Sequence, residues 1–165
     1  MSVVALYEAA EYQAEVHLVF ERVARELSGL LPSARIEHVG ASSIPGAISK
    51  GDLDICVVVA PPTHSAATMV LEANRYVIKS DTHRDDALCM LIAPNGEMDV
   101  AIQLIAEGSK YEIFMRFRDA LRESPKLVDQ YNQRKRSLAS ASPERYRDEK
   151  SMFIESVIHG LHRSS

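Results

Sequence analysis

Asp52 and Asp54 open a strand-like segment that continues as an apolar run to residue 60. Successive side chains of a strand point to opposite faces, so the two carboxylates share one face. At a separation of roughly 6–7 Å they could converge on a hard cation. Just upstream, residues 40–43 form a glycine turn, whose free backbone N–H groups could receive a phosphate. A metal site beside a phosphate cradle predicts chemistry on a nucleotide.

A third carboxylate, Asp99, lies within residues 97–105, a segment that otherwise alternates apolar residues in the manner of a strand. An unpaired ionised side chain is costly to bury, so Asp99 either faces solvent, pairs with an arginine, or completes a site with Asp52 and Asp54. We favour the third interpretation. Three carboxylates, with waters and substrate phosphates, predict Mg²⁺ or Mn²⁺ as the cofactor.

Other side chains are candidates for accessory roles. Glu97 shares the alternation of Asp99 and is either a fourth ligand or a solvated neighbour of the turn. His38 precedes the glycine turn and either contacts a phosphate or is a hydrogen-bonded strand residue. Arg118 and Arg122 are four residues apart on a predicted helix, so they share a face and could present guanidinium groups to phosphates. Ser42 and Ser43 lack an evident catalytic base, which disfavours a hydrolase nucleophile.

Composition restricts the possible partners. The chain has 165 residues and a formal net charge of -4, which argues against a non-specific nucleic-acid binder. No apolar run approaches the length of a membrane span, and the amino terminus does not resemble a signal peptide. Cys56 and Cys89 lie in apolar segments and are predicted to be reduced, buried thiols. We therefore expect a cytoplasmic protein without membrane contact.

The elements that position these residues follow from periodicity. The pattern predicts a helix over residues 6–31, strands over 34–39, 52–60, 76–79, 87–93 and 97–105, and a helix over 63–74. Three helices follow residue 108, two of them with Ser-Pro start signals at Ser124 and Ser142. These elements predict one α+β domain over residues 1–165, with a mixed sheet in about 1–107 and a helical part in about 108–165. We expect the helices to pack on one side of the sheet.

Gly40-Ala41, followed by Asp52-Leu53-Asp54-Ile55, resembles the signature of the DNA polymerase beta-like nucleotidyltransferase superfamily. Within that superfamily, Glu37-His38-Val39-Gly40 and Ser43-Ile44-Pro45-Gly46, with Lys50, are similar to the GrpB-like family. The back half agrees with the family's helical signature, which includes residues 117–122, Pro125, Tyr131, Lys135, Leu138, Tyr146, Lys150, Phe153 and Ile154.

The resemblance implies a metal-dependent nucleotidyltransferase that uses an NTP and an unidentified acceptor. We expect a small-molecule acceptor, because the net charge of -4 disfavours nucleic acid. Asp52, Asp54 and Asp99 would be the catalytic and metal-binding residues. The phosphates would contact Gly40, Ala41, Ser42, Ser43, Lys50, Arg118 and Arg122.

The sequence departs from the family pattern in two places. Ala41 stands where a serine usually follows the motif glycine, so one hydroxyl contact to phosphate is missing unless a neighbouring serine replaces it. Conversely, the chain carries both Asp52 and Asp54, whereas many members have only the second aspartate. The alternative hypothesis is a non-catalytic nucleotide- or partner-binding module on the same fold, and Ala41 favours it.

Overall fold

A five-stranded mixed sheet forms the first half of the computed structural model, which describes residues 4–94, 96 and 98–163. Its strands lie in the order β1-β2-β5-β4-β3, and only the β2–β5 pair is parallel. The strands are β1 (Arg35–Val39), β2 (Leu53–Val59), β3 (Val77–Ile78), β4 (Leu88–Ile92) and β5 (Val100–Ala106). The predicted α+β class and mixed sheet are confirmed.

Helices precede, interrupt and follow the sheet. They are α1 (Ala9–Leu30), α2 (His64–Ala73), α3 (Ile113–Arg122), α4 (Pro125–Leu138) and α5 (Pro143–Arg163). The predicted start of α4 is confirmed, because the Ser124 hydroxyl accepts a hydrogen bond from the Leu127 N–H at 3.2 Å. None of the described helices is long and apolar enough to cross a membrane.

Helices cover both faces of the sheet, which corrects the prediction that they pack on one side. Buried residues of α1 and α2, such as Leu27 and Leu71, form one core with alternate residues of the two central strands, including Ile55 and Ile102. Met115 of α3 packs in a second core on the opposite face. Because β2 and β5 are apolar on both faces, the sheet needs a cover on each side.

The carboxyl-terminal helices form a third core with the segment that follows the glycine turn. The buried side chains of Ile44 and Ala47 pack there with Phe117, Tyr131 and Phe153. The ring of Phe117 meets that of Tyr131 edge-on, with centroids 5.4 Å apart. The helical half is thereby packed directly against the chain that leads into β2.

The start of α2 and the pairing of β4 with β5 test two local predictions. Thr63 precedes α2 as predicted, but its hydroxyl donates to the Ala60 carbonyl instead of capping the helix. The strands predicted over 87–93 and 97–105 pair antiparallel as β4 and β5, and Asn95 between them lies outside the described residues.

Candidate active site

The glycine turn lies directly against the Asp54 carboxylate. Gly40 has φ 73° and ψ -177°, a backbone conformation that residues with a Cβ atom rarely adopt. A Cβ atom at this position would overlap Oδ2 of Asp54. The turn and β2 therefore need glycine for two reasons, backbone conformation and close approach.

Burial of the Asp54 carboxylate raises its pKa, and the neighbouring charge of Asp52 raises it further. Three groups oppose this rise in pKa: the ammonium groups of Lys150 and Lys50 and the amide of Gln103. Gln103 donates from Nε2 to Oδ1 of Asp54 at 3.3 Å, across the parallel β2–β5 pair. The two aspartates thus repel one another in a setting where added positive charge is favourable.

Asp52 lies one residue before β2, at the end of the loop that leaves the glycine turn. Its Oδ1 accepts a hydrogen bond from the Ser49 hydroxyl at 3.3 Å, and Ser49 in turn accepts one from the Gly51 N–H. This loop (residues 44–51) leads to Asp52, whose charge acts on Asp54. Because β2 begins at Leu53, only Asp54 lies within the strand, and the predicted pairing of both carboxylates on one strand face stays a prediction.

Two tyrosine–lysine pairs face the aspartates from the helical half. Tyr131 and Lys135 of α4 are four residues apart, as are Tyr146 and Lys150 of α5, so each pair shares a helix face. The pKa of Lys150 is raised by Tyr131, Asp54, Tyr146 and Asp52. These residues were not among the predicted site residues, although the repeated Tyr-x-x-x-Lys spacing in two helices was a readable signal.

Lys135 has the most unusual environment of the two lysines. It is buried, its ammonium donates to the Ile48 carbonyl at 2.8 Å, and it lies 4.3 Å from the ring centroid of Tyr131. Burial and the nearby charge of Lys150 lower its pKa well below the ordinary lysine value. Lys135 therefore holds the loop at residues 44–51 through its hydrogen bond to Ile48.

The predicted third carboxylate, that of Asp99, is exposed and lies just before β5. β5 begins at Val100, one residue after Asp99, and the Asp99 carbonyl accepts a hydrogen bond from the Leu53 N–H. Among the described residues, no three histidine, cysteine or acidic side chains are grouped closely enough to hold a metal ion. The catalytic role of Asp99 stays a prediction, and Glu97 lies outside the described residues.

The serines and His38 form a second group on the other side of the glycine turn. His38 Nε2 lies 2.9 Å from the Ser42 hydroxyl oxygen, and the Ser43 hydroxyl donates to the Gly40 carbonyl. No base for these serines was evident from sequence, yet the structure brings His38 to Ser42. Burial, with the nearby charges of Arg122, His17 and Arg118, lowers the pKa of His38 to about 4. The imidazole is neutral at physiological pH.

The two predicted phosphate-binding arginines have different surroundings. Arg118 is buried and donates from Nη1 to the Glu37 carboxylate at 2.6 Å and to the His38 carbonyl at 3.0 Å. Arg122 is exposed and donates from Nε to the Ser43 carbonyl at 2.9 Å. Arg118 thus connects α3 to β1, and phosphate binding by either residue stays a prediction.

Replacing Arg118 with methionine should lower the free energy of unfolding by about 2 kcal/mol, because it leaves Glu37 without its closest charged partner. Urea denaturation at neutral pH would measure the loss. The matched control is Arg116→Met on the same helix, an exposed position where we expect a change within about 0.5 kcal/mol. Equal losses for both variants would contradict a structural role for the Arg118 contact.

Comparison with known proteins decides the family. A family model described as GrpB protein matches residues 7–159. The chain belongs to the GrpB family. A UPF0157 protein of Vibrio cholerae is 48% identical over 152 residues, covering 92% of this chain and 80% of the relative. One from Halalkalibacterium halodurans is 28% identical over 156 residues, covering 90% and 78%. The GrpB resemblance predicted from sequence is confirmed.

Solved structures extend the comparison to the fold. The crystal structure of the conserved protein GrpB from Enterococcus faecalis has a TM-score of 0.75 at 22% identity, covering 93% of this chain and 94% of that one. A MgGTP-bound structure of Cid1 poly(U) polymerase has a TM-score of 0.51 at 15% identity, covering 74% and 39%. The GrpB-family chain therefore has a nucleotidyltransferase-like fold.

Proposed function

We propose that this GrpB-family protein is a metal-dependent nucleotidyltransferase that moves a nucleotidyl group from an NTP to a small acceptor. The observation that carries the proposal is the contact between the glycine turn and Asp54, with Asp52 alongside. Cid1, a poly(U) polymerase with the same kind of fold, has been solved with MgGTP bound. An NTP with a divalent ion is the corresponding substrate class here.

The donor set fits Mg²⁺ or Mn²⁺ when substrate phosphates complete it. Mg²⁺ is commonly held by one or two carboxylates together with phosphate oxygens and waters, so Asp52 and Asp54 suffice as protein ligands. Beside them, Oε1 of Gln103 is buried without a hydrogen-bond partner among the described residues. A buried acceptor next to two repelling carboxylates is a suitable partner for a metal-bound water.

Other residues of the chain would bind the phosphates and accept the proton. Backbone N–H groups of the glycine turn would bind the terminal phosphates, aided by Lys50 and Lys150. The acceptor oxygen would bond to the α-phosphorus while the bond to the bridging oxygen breaks, and pyrophosphate would leave with that electron pair. Asp99, exposed at the start of β5, would accept the hydroxyl proton. When bound, the divalent ion neutralises charge on the triphosphate and the leaving group.

A pyrophosphate-release assay tests this proposal directly. The four common NTPs would be screened against a metabolite pool with Mg²⁺ or Mn²⁺ present. Metal-dependent release that requires both an NTP and the pool supports a transferase. Failure to bind any NTP in the presence of either metal would reject the proposal, whatever acceptors the pool contains.

Manganese should raise the melting temperature of the wild-type protein, because it relieves repulsion between Asp52 and Asp54 and binds only the folded chain. Thermal melts with and without millimolar Mn²⁺ would measure the shift. Asp54→Ala should remove most of it, whereas Asp81→Ala, at an exposed position remote in sequence from the site, should keep it. Equal shifts in wild type and Asp54→Ala would place the ion elsewhere.

Ala41 favours a second candidate function, a nucleotide-binding module without catalysis. Its methyl group is buried in the apolar core of the helical half, with Ile44 and Phe117, so the turn offers no hydroxyl at this position. Backbone donors alone could hold a nucleotide without activating it. Tight NTP binding by titration calorimetry, with no pyrophosphate released across the acceptor screen, would favour this module over the enzyme.

A further inference from the structure

An open cleft of about 440 Å³ lies at the edge strand β1, between α1 and the end of α3. Its polar lining consists of side chains that can donate hydrogen bonds, and its apolar wall includes Phe20. The imidazole of His38 stacks on the Phe20 ring with centroids 4.7 Å apart. The polar residues are Gln13, His17, His38, Ser42, Ser43 and Arg122. None of the described residues that line the cleft is acidic.

The guanidinium of Arg122 brings positive charge to the lining of the cleft. Among the causes of the low pKa of His38, after burial, are the charges of Arg122, His17 and Arg118. Glu37 and Asp119 neutralise Arg118 by ion pairs at 2.6 and 2.9 Å, while Arg122 has no ion pair within the described part of the chain. His17 lies 3.4 Å from Glu21, and both side chains are more than half exposed. An anion in the cleft would meet the guanidinium of Arg122, which makes no direct ion pair within the described residues, although the charges of Asp119 and Glu37 also act on it.

Side chains that line the same space retain hydrogen-bond donors. Arg122 uses Nε for the Ser43 carbonyl, and its two terminal nitrogens make no hydrogen bond to a protein group within residues 4–94, 96 and 98–163. If His38 carries its proton on Nε2, it donates to Ser42, and the Ser42 hydroxyl is left to donate to a ligand. A guanidinium, an imidazole and a hydroxyl from three different elements suit a tetrahedral anion better than a planar one.

This cleft is separate from the carboxylates. His38 pairs with Ile55 in the β1–β2 ladder, so it lies on the face of the sheet opposite to Asp54. The charges that shift the pKa of Asp54 are those of Asp52, Lys150 and Lys50. The charges that act on His38 are different ones, those of His17 in α1 and of Arg118 and Arg122 in α3. The glycine turn forms the wall between the two sites.

We propose that the cleft binds the phosphoryl group of a small phosphate monoester, held by Arg122, His17 and the Ser42 hydroxyl. The volume accommodates the phosphoryl group and a small organic body. The site goes beyond the proposed nucleotidyl transfer and does not depend on it, since binding here involves neither the aspartates nor a metal. Arg122, which the sequence suggested for the nucleotide phosphates, would instead bind the phosphoryl group in the cleft beside His38.

The test is a titration with inorganic phosphate and with glycerol 3-phosphate, in metal-free buffer, followed by the NMR resonances of the His38 ring. A bound dianion should raise the pKa of His38 by roughly one unit or more, because an opposite charge stabilises the imidazolium. Arg122→Gln should weaken binding at least about tenfold. Acetate should bind more weakly than phosphate, and sodium chloride at equal ionic strength should have little effect.

Two controls keep the result specific. Arg116→Gln, an exposed arginine of α3 outside the cleft, should bind phosphate as the wild type does. Asp54→Asn should also leave phosphate binding unchanged, so a failed transferase assay and a failed cleft are distinguishable. The proposal is overturned if millimolar phosphate leaves the His38 resonances unmoved, if it moves them equally in Arg122→Gln, or if acetate binds as tightly as phosphate.

Discussion

Asp54→Asn should abolish pyrophosphate release while leaving the protein folded. The substitution removes the negative charge that faces the glycine turn but keeps the shape of the side chain. Metal-ion catalysis contributes several kcal/mol of transition-state stabilisation, so losing one of the two proposed protein ligands should lower the rate roughly a thousandfold or more. Single-turnover measurements with a radiolabelled NTP would detect the residual rate.

The matched control is Asp81→Asn, which removes a charge from an exposed position outside the site and should leave the rate unchanged. Binding of a non-hydrolysable NTP should persist in Asp54→Asn, although more weakly, because the turn's backbone donors remain. A variant that releases pyrophosphate at the wild-type rate would show that Asp54 is not a catalytic residue.

The same variant makes a prediction about stability. Because the pKa of Asp54 is raised in the native state, ionising it costs folded stability as the pH rises through that raised pKa. Below the ordinary aspartate pKa both states are protonated and the cost disappears. Asp54→Asn should therefore be at least as stable as wild type at neutral pH, with the difference fading in acid. Urea unfolding at several pH values would show this trend.

Gly40→Ala should destabilise the fold more than any surface substitution. The backbone strain at a positive φ costs about 1–3 kcal/mol, and the overlap of the new methyl group with the Asp54 carboxylate adds a similar amount. We expect a loss of about 3–5 kcal/mol in the free energy of unfolding by urea. Nucleotide binding should fall with it, since the turn moves away from Asp54.

Gly108→Ala separates these two costs. Gly108 has nearly the same φ, 78°, but no atom lies within 4 Å of a Cβ built there. Its replacement should cost only the strain, about 1–2 kcal/mol. If Gly40→Ala and Gly108→Ala are equally destabilised, the close approach of Gly40 to Asp54 has no energetic weight.

Local patterns were sufficient where one strand or helix determines the outcome. Alternation predicted the strand over 97–105 that contains β5, and the Ser124-Pro125 signal located the start of α4. Spacing alone could not show that Arg118 meets Glu37, because that contact joins residues 81 apart in sequence. The helix spacing predicted which side chains share a face but not what faces them.

Asp99 shows the same limit at a strand boundary. The alternating pattern continues through Asp99, but the ladder that fixes side-chain directions begins only at Val100. The partners of Lys135 and Lys150 were also hidden, since they depend on how two helices pack against the loop before β2. Sequence periodicity identifies elements, whereas a site assembled from several of them needs their tertiary arrangement.

The hydrogen bonds between α4 and the loop at residues 44–51 have a consequence for folding. Asn132 accepts from the Ile48 N–H and donates to the Gly46 carbonyl, and Lys135 donates to the Ile48 carbonyl, across 84 to 87 residues of chain. Such distant pairings form late and make folding slow, because a long loop must close first. Asp54 is positioned by the β2 ladders, whereas Asp52 ends the loop that α4 holds, so a chain shortened before Pro125 should not place the two carboxylates together.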